Sequence, residues 1–391
     1  MNARVRLWLA GLLPLALLAG LTVLFLRVGP LGVFHAAFPP VEQLTIERIR
    51  LPAPDSMEIR VVNGGPAPVT VAQLLIDEAY WPFEIEPGPT IARLHSATVR
   101  TPYPWVEGEP LEVMLMTSTG LTFTAQVEVA TQSPEPNSRY LATFTLLGVY
   151  VGVIPIFLGL LWLPFLRRIA RRWIHFFLSL TLGLLIFLGL DALHEAIELH
   201  EQVPEAFQGM GLIILGVVTA VFGLVAIGRW LRSRPAAHDL SPELWVAYMV
   251  ALGIGLHNLG EGLAIGAAYS VGAVSLGAFL VIGFAIHNTT EGLGIVAPVA
   301  KRGPALWHLA ALGALAGLPT IAGAWIGGFT YRPGLAVFFL ALGTGAIFQV
   351  VYQIGQMIRR EADGGWAAPL NALGLVTGVL IMYSTALLVV A

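Results

Sequence analysis

Residues 243–297 read ELWVAYMVALGIGLHNLGEGLAIGAAYSVGAVSLGAFLVIGFAIHNTTEGLGIVA, two apolar runs around a short break, each carrying the same polar phrase. The first phrase is His257-Asn258-Leu259-Gly260-Glu261-Gly262-Leu263, and the second is His287-Asn288-Thr289-Thr290-Glu291-Gly292-Leu293. Each run is near the length that carries a helix across a hydrocarbon core of about 30 Å. With His257 as origin and about 100° per residue, Asn258 lies about 100° round the helix and Glu261 about 40°, between imidazole and amide. The second phrase repeats that geometry. The midpoint of the two histidines is Gly272, inside the break, so an antiparallel hairpin brings both phrases to one depth. Twelve residues from the loop near Tyr269 to His257 is about 18 Å of helix, close to the middle of a bilayer.

Charge at that depth is costly, about 2.5–3.5 kcal/mol for Asp, Lys or Arg at a helix centre on insertion scales. A dication compensates two carboxylates, and neutral imidazoles add borderline nitrogen donors suited to zinc, iron or manganese. His257, Asn258, Glu261, His287, Asn288 and Glu291 are therefore the candidate metal residues, and facing carboxylates could bridge two ions. The competing reading is a hydrogen-bonded polar seam with both Glu protonated. Duplication of the whole triad at matched depth argues for the metal.

Composition points the same way. Of 391 residues 56% are hydrophobic and 12% charged, and the mean hydropathy is +0.77, outside the range of a soluble globular chain. With 21 basic and 24 acidic residues the net charge is −3, which excludes a basic field for nucleic acid. There is no cysteine, so any metal site uses nitrogen and oxygen ligands.

Outward from the hairpin, apolar segments recur at about 141–166, 174–196, 206–228, 243–268, 275–297, 304–329, 333–357 and 366–390, predicting eight spanning helices in a domain over residues 140–391. Basic residues mark every second loop: Arg167, Arg168, Arg171 and Arg172; Arg229, Arg232 and Arg234; Lys301 and Arg302; Arg359 and Arg360. By the positive-inside rule these loops are cytoplasmic, with Arg332 the exception on the other side. Residues 1–30 hold Arg4 and Arg6 before an apolar run, which reads as a retained anchor with its N-terminus inside rather than a cleaved signal peptide. Residues 39–130 alternate short β-branched runs with turn chemistry such as Asn63-Gly64-Gly65, predicting an extracytoplasmic β-sandwich of about seven strands. Residues 131–139 are a linker. The expected fold class is membrane all-α: eight core helices, one anchor helix and a small all-β domain. Gly253, Gly255, Gly262, Gly266, Gly283, Gly343 and Gly345 predict close helix packing.

The paired phrases resemble the fourth and fifth transmembrane motifs of ZIP-type (Zrt/Irt-like) divalent metal transporters, especially the bacterial branch, whose repeats read His-Asn-x-Pro-Glu-Gly. The resemblance covers about residues 140–391. It implies an eight-helix transporter with external ends in a prokaryotic plasma (inner) membrane. It also implies import of a divalent ion, zinc first, with iron, manganese and cadmium as alternatives, and a homodimer as one assembly. The ion is cargo, and no cofactor is implied. His257, Glu261, His287 and Glu291 would hold the principal site, with Asn258 and Asn288 serving a neighbouring one. The chain departs from the pattern in three places. Gly260 and Thr290 replace the motif prolines, Gly317-Leu318-Pro319-Thr320 lacks the carboxylate common on the sixth helix, and Gln349 and Gln353 stand where the seventh often has acids.

Asp191, His194, Glu195 and Glu198, near the outer end of the second core helix, are candidates for a vestibule. His200, Glu201 and Glu205 belong to the outer loop, and isolated His95 and His238 read as solvated residues. Two rival functions remain: a non-conducting metal-sensing receptor and an intramembrane metalloenzyme. The zincin phrase His-Glu-x-x-His is absent, since His194-Glu195-Ala196-Ile197-Glu198 ends in Glu, and the expectation is no enzyme.

Overall fold

A computed structural model describes residues 3–28, 41–234, 240–362 and 364–390 of the chain. His238 lies outside the described residues. Two units are present, residues 1–41 and 42–391. The first contains helix α1 (Ala3–Val28), with Pro14 inside it. Its side chains from Leu12 to Leu24 are exposed and almost all apolar.

The second unit opens with nine strands: β1 (Leu44–Ala53), β2 (Ser56–Asn63), β3 (Val69–Ile76), β4 (Ala79–Trp81), β5 (Glu84–Glu86), β6 (Thr90–Ile91), β7 (Ser96–Thr101), β8 (Leu111–Thr117) and β9 (Thr122–Val127). They form two antiparallel sheets, ordered β1-β2-β7-β5 and β4-β3-β8-β9, with β6 also pairing β3. Period-two burial makes the core: Met57, Ile59 and Val61 of β2 and Leu111, Val113 and Leu115 of β8 are buried, with half-buried or exposed residues between them. The strand number exceeds the expected seven because β4, β5 and β6 are two or three residues long, around Pro82, Pro87 and Pro89. Runs that short leave no alternation to read. The Asn63 turn closes by its own side chain, which accepts from the Gly65 amide at 2.9 Å and donates to the Ala67 and Ile91 carbonyls at 2.8 and 2.9 Å.

Among the described residues eight helical spans follow, each long and apolar enough to cross a membrane. The first, 138–168, is broken into α2 (Ser138–Gly148), a π turn (Val149–Val153), α3 (Ile154–Leu160) and α4 (Leu163–Arg168). Then come α5 (Arg171–Leu199), α6 (Gly209–Arg232), α7 (Pro242–Ser270), α8 (Val274–Val296), α9 (Leu306–Thr330), α10 (Pro333–Glu361) and α11 (Pro369–Val390). Caps and breakers in the sequence set several boundaries. Asn137 accepts from the Tyr140 amide at 3.0 Å to start α2, and Ser241 accepts from Leu244 at 3.2 Å, with Pro242 next to it, to start α7. Outward faces of the spans stay apolar and uncovered, with Leu215 at 55% and Phe222 at 67% exposed, as lipid-facing residues are. This is the architecture of an integral membrane protein.

Small residues bring α7 against α9. A Cβ on Gly262 would collide with the Thr320 carbonyl and one on Gly266 with that of Ala324, while Gly323 and Gly327 of α9 meet the Leu259 and Leu263 carbonyls in return. The bundle has two different ends. At one, Lys301 donates to the carbonyls of Arg167 (3.0 Å) and Ile169 (2.7 Å), and Arg171–Glu361 (3.0 Å) and Arg302–Glu243 (2.8 Å) form ion pairs, so basic loops gather there. At the other the β-domain is seated. Gln43 donates to Glu205 at 3.3 Å, Gly64 abuts Pro204, and Gly272 abuts the Val129 carbonyl. Arg48 of β1 donates to the Phe329 (3.2 Å) and Gly328 (3.4 Å) carbonyls at the C-terminus of α9. Burial, with Arg50 adding to it, lowers the Arg48 guanidinium to about 10, so it is charged at neutral pH.

Candidate metal centre

The tight turn 271–273, with Gly272 at φ +82°, joins α7 to α8. His257 lies thirteen residues before Ser270 and His287 thirteen after Val274, about 20 Å along each helix, so both phrases arrive at one depth. Neither helix breaks at the positions where the resembled family has proline. Gly260 faces α10 at Phe339 and Leu340 with room for a side-chain carbon, and the Thr290 hydroxyl donates back to the His287 carbonyl at 2.6 Å.

Glu261 is the hub. Its Oε1 faces Nε2 of His257 at 3.2 Å and Nε2 of His287 more closely, and its Oε2 accepts from Asn288 Nδ2 at 2.9 Å. Ligand-capable atoms of His257, Glu261 and His287 all lie within 4.8 Å of one another. All three are buried, at 5%, 3% and 6% exposure. Gly343 of α10 backs His257, and Phe284 tilts against the His287 ring at 5.4 Å. Two borderline nitrogens and one carboxylate oxygen make a donor set for a transition-metal dication rather than for calcium or magnesium.

The two phrases are not equivalent in space. Glu291 is equally buried, yet neither carboxylate oxygen has a hydrogen-bond partner; Glu261 and Asn258 are its polar neighbours. Each asparagine uses its N–H on backbone and leaves its Oδ1 buried without a partner. The reason lies in the neighbouring helices. Pro155 has no N–H to give the Val151 carbonyl an i+4 bond, and Asn288 Nδ2 donates to that carbonyl at 3.1 Å beside the π turn. Asn258 Nδ2 donates to Ala316 at 3.1 Å, beside Leu315, the carbonyl that Pro319 deprives in the same way. The oxygens of Asn258, Asn288 and Glu291 are therefore unpaired buried acceptors beside the centre, an arrangement that calls for a cation or donors.

The other candidates divide. Asp191 is exposed and within electrostatic reach of His287 and His257, so it belongs at the edge of the centre. Glu195, one turn nearer the β-domain, lines a cavity of about 660 Å³. His194 and Glu198 pair with each other at 3.2 Å on the exposed surface. Gln349 and Gln353 are half-buried, about 9 and 15 Å along α10 from the Gly343 contact with His257. His95 is exposed with its ring on the Arg93 carbonyl.

Reading for ligands alone missed Val151, Thr320 and Tyr331. Pro155 was the signal for the first. Thr320, fully buried with an unpartnered hydroxyl, touches Gly152 of the π turn. Tyr331 follows α9, where burial and then Glu195 raise its hydroxyl to about 12, with Arg48 opposing. Compared with known proteins, the chain matches no protein-family model, and no curated protein matches it.

Proposed function

We propose that the protein is a ZIP-like transporter of divalent metal ions, with zinc as its first cargo. The observation that carries the reading is the convergence of His257, Glu261 and His287, buried at matched depth in an eight-helix bundle, beside the unpaired carboxylate of Glu291. Two buried carboxylates balance one dication, and the two imidazoles replace part of its water shell. Glu291 turns in to supply the fourth donor, and a centre with three preset ligands rather than four releases its ion more readily than a closed structural site. Asn288 holds Glu261 in place, and Asn258 offers its Oδ1 to a weak neighbouring position.

By the charge of the loops, the basic end faces the cytoplasm and the β-domain and C-terminus face outward, in a prokaryotic plasma membrane. Import then runs from the β-domain end, past Glu195 and Asp191, to the centre and inward as helices rearrange. No water-activating base separate from the ligands stands in the twin phrases, which favours transport over hydrolysis. One observation favours a non-conducting sensor: no acidic residue of α9 or α10 joins the site. Uptake of zinc by vesicles holding the purified chain tests the proposal, with a Glu261→Ala/Glu291→Ala double variant expected to be silent. Equal uptake by that variant sinks it, and metal binding without flux favours the sensor.

A further inference from the structure

Between the β-domain and the helices lies the cavity of about 660 Å³, walled by β1 and β9 on one side and by α5, α7 and α10 on the other. Its floor includes Ala264 of α7, half-exposed and only three residues, about 4.5 Å of rise, beyond Glu261. Its side wall includes Glu195, one turn above Asp191, which itself senses both histidines. About one helical turn therefore separates this cavity from the centre.

The roof is held in a specific way. Arg48 lines the cavity from β1, is 8% exposed, and fixes its two Nη groups on the Phe329 and Gly328 carbonyls. Its Nε is buried without a partner. Tyr331, also in the lining, sits within electrostatic reach of both Arg48 and Glu195. A cation is thus clamped in the roof, where Glu47 and Glu128 also line the cavity, with Glu195 on the helix side. A guanidinium removed from water at a cost, when an apolar residue would seal a strand edge more cheaply, needs a reason beyond packing.

We propose that the β-domain is a roof over the outer approach to the metal centre, and that Arg48, clamped on the end of α9, is the residue that sets how readily cations pass beneath it. The proposal rests on the transport reading for its meaning, but its geometry is tested separately. Clamped, Arg48 repels incoming cations twice as strongly per dication as per monovalent ion and holds the roof down. Released, it lifts that barrier and loosens the seal. Arg48 then governs rate and selectivity without touching the bound ion.

The chain has no cysteine, so a single Ala264→Cys reports on the cavity without background. In sealed vesicles, that thiol is labelled with a cationic and an anionic methanethiosulfonate reagent of similar size, with Arg48 intact and with Arg48→Gln. The expected result is labelling from the β-domain side, accelerated by Arg48→Gln by about tenfold, the worth of one charge-assisted hydrogen bond, and more for the cationic reagent. Arg48→Lys, which keeps the charge but not the fork, is expected to restore the charge preference and not the slow rate. Labelled Ala264→Cys is expected to stop zinc uptake that the unlabelled variant retains. No labelling of Ala264→Cys, or labelling indifferent to Arg48, overturns the roof. Absence of uptake in the parent chain would count against transport alone, since the labelling rates still judge the roof.

Discussion

Replacing Glu261 by Gln keeps the volume of the hub and removes its charge. Glu261 accepts from Asn288 and faces both imidazoles through one oxygen. A Gln has one acceptor oxygen, so either Asn288 or the imidazole pair faces an N–H instead, and the bound dication keeps only Glu291 as counter-charge. Breaking a buried charge pair from one side costs about 3–5 kcal/mol, which at 1.4 kcal/mol per decade is about two to three and a half decades in Kd. Glu291→Gln removes the same formal charge but breaks no hydrogen bond, so its loss is expected to be about tenfold smaller. Calorimetric titration of zinc into detergent-purified protein, against a competing chelator, measures both, and a thermal melt of each apo variant checks that the bundle is intact. Equal weakening by the two variants would refute the asymmetry argued from the hydrogen bonds, and an unchanged Kd for Glu261→Gln would refute the centre itself.

Asn288→Ala removes a donor from the Val151 carbonyl and from Glu261, for an expected loss of about 1–3 kcal/mol in stability by denaturant titration. Adding Pro155→Ala returns an N–H to Val151, so the double variant is expected to lose less than the sum of the singles; strict additivity would contradict the proline argument. Gly262→Val drives a side chain into the Thr320 carbonyl and is expected to abolish a monodisperse peak in size-exclusion chromatography, whereas Gly223→Val, with open space around it, is expected to leave that peak unchanged. Zinc affinity is expected to fall as the medium is acidified, because protons compete with the ion for the donor atoms of the centre; a flat profile between neutral and mildly acidic pH would show that the histidines are not ligands.

The eight spans were legible because a membrane demands a length and an apolar content that 20-residue windows reveal, and the two ends of the bundle were legible from Arg and Lys alone. The matched depth of the twin phrases followed from equal spacing about Gly272. What could not be read was their inequivalence. His257 and His287, Glu261 and Glu291 look alike along the chain. Their difference comes from partners far away in sequence: the π turn just before Pro155, beside Asn288, and the α9 backbone around Pro319 beside Asn258. The short strands β4 to β6 were hidden for a different reason, being too brief for any period. Arg48 reads as one more charged residue on a strand, and only the docking of β1 on α9 turns it into a buried cation.

Metal flux is the measurement that reaches the central claim most directly. Vesicles containing the purified chain, loaded with a fluorescent chelator and presented with zinc, iron(II), manganese(II), cadmium and calcium under an imposed pH gradient, should take up zinc and its borderline neighbours and exclude calcium. His257→Ala and His287→Ala should each abolish that uptake. Uptake that persists in both variants, or no uptake of any dication by a folded parent chain that binds zinc, would contradict the account.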